Sequence, residues 1–322
     1  MKKYCIVIAF IVAVLALSVS CRNDTDINTE ILPDATPESV TFTDALGRVV
    51  SVEKNPQNVA CLIGSFAEIW MLSGGHVAAA ASDAWEDFDL SLDEGTVNIG
   101  GAHSPNLELI FSSHPDFIIA SASTASHVEF KEVFEKSGTV VAYFDVDCFD
   151  DYLSMLEICT AITGREDLYV KNGVELGKRI DEIKSDFLSL DLSDDDKKIL
   201  LLRTASTFVK AKGSEGTILG EMLADIGCIN IADNDKSLLE NVSVEKIIAE
   251  NPKRIFVVTM GNNDELAIKN INAMINDNPA WSELDAVKNG NIHYMDKKLF
   301  NIKPNSRWAD AYDQLVRIFK EK

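Results

Sequence analysis

Two stretches of this chain put the same acidic residue in the same setting. SPNLELIFSSHPDFIIA (Ser104–Ala120) and SVEKIIAENPKRIFVV (Ser243–Val258) superpose at a shift of 137 residues, which lays Glu108 on Glu245 and Pro115 on Pro252. Leu107 falls on Val244, Ile110 on Ile247 and Ile118 on Ile255. The spacing predicts a short helix in each copy, with Asn106 or Ser243 as N-cap and the glutamate at the second helical position. The helix dipole favours a carboxylate there by roughly 0.3–1 kcal/mol. Each proline ends its helix, because the residue before it avoids the α region, and a strand follows. Stabilising a helix start accounts for either glutamate alone; the duplication itself is left to explain.

The other candidates sit just after apolar runs of strand length, where an open parallel sheet places its crevice. Gly64-Ser65-Phe66 follows the first such run, and Ser65 with Glu68 has the spacing of a capping box; Phe66 is the side chain there that could face a ligand. Trp85 and Phe88 lie in the next loop, and an aromatic wall suits a flat conjugated ligand. His103 and His127 each follow a strand. Arg203 ends a strand, and its planar fork of donors matches carboxylates. Lys210 and Lys212 are weaker candidates, since a lysine is usually a solvated charge. Lys303–Trp308 opens the last helix, with Asn305 or Ser306 as its cap, Arg307 as a ligand contact and Trp308 as core.

These residues need elements to hold them. Phe42–Val52 reads as a hairpin turning at Gly47. Strands are predicted at Val59–Ile63, Ala78–Ala81, Val97–Ile99, Phe117–Ala120 and Val140–Phe144, with helical patterns between several of them. Asp150–Thr163 is one helix. Asp167–Leu188 is a longer one, with Leu176, Ile180, Ile183 and Phe187 on a single stripe at helical period. After Ser193–Asp196, strands resume at Ile199–Arg203, Thr207–Ala211, Ile229–Ala232, Ile255–Thr259 and Ile292–Met295. A last helix carries Trp308, Ala311, Tyr312, Leu315, Val316 and Phe319 on one face. The result is an α/β chain of two lobes, each a mainly parallel sheet with helices, joined by one long helix, and the repeat places one copy in each lobe.

A formal charge of −21 disfavours nucleic acid, which needs a basic face. Lys2 and Lys3 precede an apolar run to Leu17 and then Ser18-Val19-Ser20-Cys21, the pattern of a signal peptide. Cys21 resembles the lipid-acceptor cysteine of bacterial lipoproteins, although Ser18 stands where the usual lipobox has leucine. The polar, acidic stretch that follows reads as a flexible tether. Cys61 and Cys228 read as buried thiols, and a Cys148–Cys159 bridge is compatible with an exported protein. No G-x-S-x-G, H-E-x-x-H or phosphate loop occurs.

Taken in order, TFTDALGRVVSVEKNPQNVACL, GSFAE, PNLELI with HPDFIIA, GCINIAD, SVEKIIAENPKRIFVV and AVKNGNIHYMD resemble the substrate-binding proteins of ABC importers for ferric siderophores, haem and cobalamin. The resemblance runs from Thr41 to the C-terminus. It implies the class III architecture, two lobes on one rigid bridging helix with the ligand between them, and residues 167–188 are similar to that bridge. The implied organisation is a signal peptide at 1–20, a lipidated tether at 21–40, an N-terminal lobe at 41–149, connecting helices at 150–192 and a C-terminal lobe at 193–322. The resemblance implies that Glu108 and Glu245 dock on basic residues of a permease dimer, one per lobe. It also implies ligand contacts at Ser65, Phe66, Trp85, His103, His127, Arg203, Asn305 and Arg307, and, in siderophore or haem binders, an iron-ligating histidine. The expected protein is a non-catalytic, extracytoplasmic, lipid-anchored monomer with no resident cofactor or metal, whose small-molecule cargo contains iron or cobalt. Two alternatives stand: a receptor for bare zinc or manganese, which needs about four converging His, Asp or Glu ligands, and an exported enzyme on a similar fold.

Overall fold

The computed structural model describes residues 38–240, 242–261 and 263–321. The expected signal peptide, Cys21 and the tether up to residue 37 lie outside these residues. Strands β1 (Ser39–Thr43) and β2 (Val49–Glu53) form the expected antiparallel hairpin, with Gly47 at φ 76° in its turn. Ser39 and Val40 pair with Glu53 and Val52, so the fold starts before the expected boundary at 41.

The first lobe comprises β3 (Val59–Cys61), α1 (Gly64–Leu72), β4 (Val77–Ala80), β5 (Val97–Asn98), α2 (Leu107–Ser112), β6 (Phe117–Ser121) and β7 (Val140–Phe144). Its strands lie in the order β5-β4-β3-β6-β7, all parallel. Continuous apolar runs such as Phe117–Ser121 are buried along their whole length, as strands covered on both faces require. Helices α3 (Phe149–Thr163) and α4 (Glu175–Leu188) lead out of this lobe.

The second lobe comprises β8 (Lys198–Thr204), β9 (Val209–Lys212), α5 (Ile218–Asp225), β10 (Ile229–Asn230), α6 (Val244–Glu250), β11 (Arg254–Thr259), α7 (Asp264–Asp277), β12 (Ile292–Met295) and α8 (Trp308–Lys320). The order is β9-β8-β11-β12, with β10 beside the start of β8; only β9 runs antiparallel. The strand expected to reach Ala232 stops at Asn230, whose side chain accepts from the Ala232 amide and starts a helical turn instead.

The repeat is structural as well as sequential. In each lobe the strand after the repeat lies beside the lobe's first strand: β6 pairs with β3, and β11 with β8. The Asp116 amide donates to Asn58 O at 3.0 Å, and the Lys253 amide, 137 residues on, donates to Lys198 O at 2.9 Å. The residue before each proline leaves the right-handed helix through the left-handed region: His114 and Asn251 lie at φ 48° and 45°. The Asn251 amide bonds back to Ile247 O and that of His114 to Phe111 O, so the helix ends are closed before the proline begins.

The long run at 166–188 is helical but not uniform. An α turn (Glu166–Tyr169) passes into a π turn (Val170–Val174) before α4. There the Asn172 carbonyl accepts from the Tyr152 hydroxyl at 2.9 Å, and its side chain donates to Leu72 O, at the end of α1, at 2.7 Å. A Cβ on Gly173 would lie 2.9 Å from a Leu153 methyl, so glycine permits this close approach of α3. The expected stripe holds: Ile180 and Phe187 are buried, Leu176 and Ile183 half-buried, and α4 packs along α8. One apolar cluster joins a face of each sheet through α1, α3, α4, α5 and α8, while the outer faces carry clusters of their own. Both lobes therefore rest on one shared layer of helices.

Cys148 caps α3 and Cys159 lies within it. At 1.5 Å rise per residue they stand about 16 Å apart, beyond disulfide reach, and both are free, so the bridge that the sequence left open is not formed. Among the described residues no helix is long and apolar enough to cross a membrane.

Candidate functional site

The duplicated glutamates are both exposed at the second position of their helices. Asn106 caps α2 as expected, its Oδ1 accepting from the Glu108 and Leu109 amides at 2.9 and 3.2 Å. Ser243 does not cap α6. Its hydroxyl donates to Glu245 Oε2 at 2.9 Å. Glu245 accepts from its own backbone amide and from Ser243, and these bonds hold its carboxyl below the usual range. A helix feeding a parallel strand runs back along the sheet. The N-termini of α2 and α6 therefore lie toward the carboxyl ends of the strands, where the crevice of an open α/β sheet is found.

On the first lobe's side of that crevice, several expectations are corrected. Ser65 and Glu68 do not form a capping box: the start of α1 is held by Asp83, whose Oδ2 accepts from the Gly64 amide at 2.9 Å. A Cβ on Gly64 would lie 2.6 Å from the Ala84 amide nitrogen, so only glycine allows Asp83 so near. Ser65 is buried, its Oγ without a hydrogen-bond partner. Phe66 is core rather than a ligand wall, fully buried with its ring edge-on to Phe144. His127 is likewise core: its Nδ1 accepts from the Ser121 amide at 3.1 Å and its Nε2 meets Ala102 O at 2.7 Å. Burial pushes it down to about 4, so it is neutral and has no nitrogen left for iron. His103 is exposed, and Trp85 is half-buried against the core.

The C-terminal segment reaches across to the first lobe. Asn305, left-handed at φ 49°, does not cap α8; its Nδ2 donates to Ser65 O at 2.9 Å and to Glu68 Oε2 at 2.7 Å. Burial raises the Glu68 carboxyl, against the pull of Asn305, Arg307 and Ser306. Arg307 is half-buried, its Nη2 3.4 Å from Lys298 O. Trp308 is core, as expected. Lys298 pairs with exposed Asp89 at 2.6 Å and half-buried Lys297 with half-buried Asp87 at 3.7 Å, two solvent-accessible ion pairs between the lobes that contribute little to stability.

Charged groups from both lobes meet at the strand ends. Asp147, three residues beyond β7, is raised by burial and by Asp145, and lowered by Lys303 and Arg203. Lys303 stands 5.9 Å above the Phe66 ring, and burial lowers it against Asp147 and Asp145. Arg203 is half-buried with Nε unpartnered; burial lowers it, and Asp147 opposes. The sequence reading missed Asp147, Lys303 and Asp83. Position after a predicted strand is the available signal for Asp147. A cavity of about 500 Å³ lies beyond β11 and β12, lined by Thr259, Asp264, Tyr294, Asp296 and Lys297. Another of about 370 Å³ lies between α3, α4, α5 and α8.

Comparison with known proteins places this geometry. The family described as periplasmic binding protein matches residues 59–299. The chain is 25% identical over 332 residues to the ABC transporter substrate-binding lipoprotein YvrC of Bacillus subtilis, covering 98% of this chain and 97% of YvrC. It is 23% identical over 250 residues to the Fe(3+)-citrate-binding protein YfmC of the same organism, covering 77% and 75% of the two chains. Among solved structures, Staphylococcus aureus SirA complexed with staphyloferrin B shares the fold at a TM-score of 0.64 and 20% identity, covering 88% of this chain and 97% of SirA. Haem-binding and vitamin B12-binding proteins share it too.

Proposed function

The chain belongs to the periplasmic binding protein family, and from that premise we propose that it captures an iron chelate (siderophore or haem) or cobalamin between its lobes and delivers it to the permease dimer of an ABC importer. Proteins of this kind bind substrates and are not enzymes. One observation carries the reading. Asp147 from the first lobe and Arg203 from the second act on each other where both sheets end, with Lys303 beside them. Polar groups converging from two walls on one gap are what a carrier needs to orient a cargo. YfmC is named for ferric citrate and SirA was solved with staphyloferrin B, which supports an iron chelate.

Docking falls to Glu108 and Glu245, exposed at matching positions of α2 and α6. A permease built as a two-fold dimer offers one basic site twice. Rim charges of this kind guide encounter and set register more than they add affinity. Lipidation of Cys21 would hold the carrier at the outer membrane surface of the permease, and YvrC is named as a lipoprotein. A receptor for bare zinc or manganese fits less well. His76 pairs with Asp93, His114 sits before Pro115, His127 is sealed in the core and His293 lies on β12. Among the described residues no three His, Cys, Asp or Glu side chains form a metal-holding group.

The test is a thermal-shift screen of the full chain against ferric citrate, haemin and cyanocobalamin, with zinc and manganese in parallel. A cargo at a hundred times its Kd should add about 2.7 kcal/mol of stability. A shift from zinc or manganese alone would move the assignment to the bare-ion receptor.

A further inference from the structure

The β8–β9 hairpin presents three cations on one face. Arg203 on β8 is the register partner of Lys210 on β9, and Lys212, two residues further, points to the same side. Their neighbours Leu202 and Ala211 belong to the opposite face, in the outer apolar cluster of the second lobe. Among the described residues none of the three has a carboxylate within ion-pair distance, although the chain is strongly acidic. Lys212 is half-buried; burial lowers it, and Arg203 and Lys210 lower it further. The Arg203 Nε is buried and has no hydrogen-bond partner among the described residues. Lys210 is exposed, 5.6 Å above the Phe208 ring. Like charges held together without counter-charge destabilise the face that carries them, and a low-dielectric cleft concentrates their field.

The face turns toward the other lobe, since Asp147 acts on Arg203. Asp147 and Asp145 on that side also act on Lys303, so the first lobe's wall is acidic and the second lobe's basic. Resting on the carrier reading above, we infer that the cargo is a polyanionic ferric chelate, whose free carboxylates are gripped by Arg203, Lys210 and Lys212. Arg203 supplies the forked donors that a carboxylate takes in pairs, and the two lysines supply charge around them. A neutral or cationic chelate would leave the three cations uncompensated.

The inference is tested by titrating the full chain with ferric citrate, with the cationic hydroxamate chelate ferrioxamine B and with cyanocobalamin, in wild type and in Arg203→Gln and Lys212→Gln. Wild type should take ferric citrate in preference. Loss of a charge-assisted bond should weaken it about tenfold or more in Arg203→Gln, with a smaller loss in Lys212→Gln, and binding should weaken as sodium chloride rises. Unliganded Lys212→Gln should melt no lower than wild type, because it removes repulsion from Arg203 and Lys210. Preference for ferrioxamine B or cyanocobalamin, or ferric citrate affinity unchanged in both variants, overturns the polyanion inference and leaves the carrier reading standing. If none of these ligands binds wild type, and haemin titrated in parallel does not bind either, the carrier reading falls and the inference with it.

Discussion

Where the first half follows its leading strand with a helix and a parallel neighbour, the second half folds straight back into the antiparallel strand β9. That exchange places Arg203, Lys210 and Lys212 on the second wall of the cleft, against Asp145 and Asp147 on the first. At α2 and α6 the halves instead agree closely. Each has a glutamate at the second helical position, a left-handed residue before a proline, and an amide tie to the lobe's first strand. The halves are alike where a two-fold partner would read them and unlike where a single asymmetric cargo would be held. Sequence duplication preserved along one edge and lost along another separates the docking requirement from the ligand requirement.

Acid should expose a further difference between the halves. The first has His127 sealed and neutral in its core; 137 residues on, the second has Asp264 at the start of α7. An unfolded histidine titrates near 6.5 and folded His127 near 4, so between those values the unfolded chain binds the extra proton. Stability is then full above about pH 6.5 and falls as pH drops toward 4, by about 3 kcal/mol at most. Denaturant melts across that range should show the fall, and His127→Gln should flatten it. An unchanged slope in the variant would shift the acid sensitivity to other groups, such as half-buried His293.

The two caps give smaller effects that sharpen the comparison. Asn106→Ala removes the acceptor for two amides and should cost about 1 kcal/mol. Ser243→Ala removes only a hydroxyl bonded to an exposed carboxylate and should change stability by roughly 0.5 kcal/mol or less. Equal losses in thermal melts would mean that the caps are used alike in both halves after all.

Much of this was legible in the residues. Apolar runs such as Val140–Phe144 and the α8 stripe gave strands and helices because covered strands and amphipathic helices announce themselves by period. The glutamate repeat was legible because it is local. The capping box at Ser65 and Glu68 fails for the opposite reason: Asp83, which holds the start of α1 through Gly64, lies 19 positions away, and Asn305, which donates to Ser65 O and Glu68, lies 240 and 237 positions away. His127 could not be told from a loop histidine, because the carbonyl that claims it belongs to Ala102. Lys303 and Asp147 carry no local signal, because the counter-charges that act on them come from the opposite lobe.

The most direct test of the central claim separates binding from delivery. The double variant Glu108→Ala, Glu245→Ala should bind the cargo as tightly as wild type, since neither carboxylate lies among the cleft residues. Uptake of radiolabelled iron by cells relying on that variant should fall to background. Uptake at the wild-type rate with binding intact would contradict the reading of the two glutamates as a matched pair of docking points.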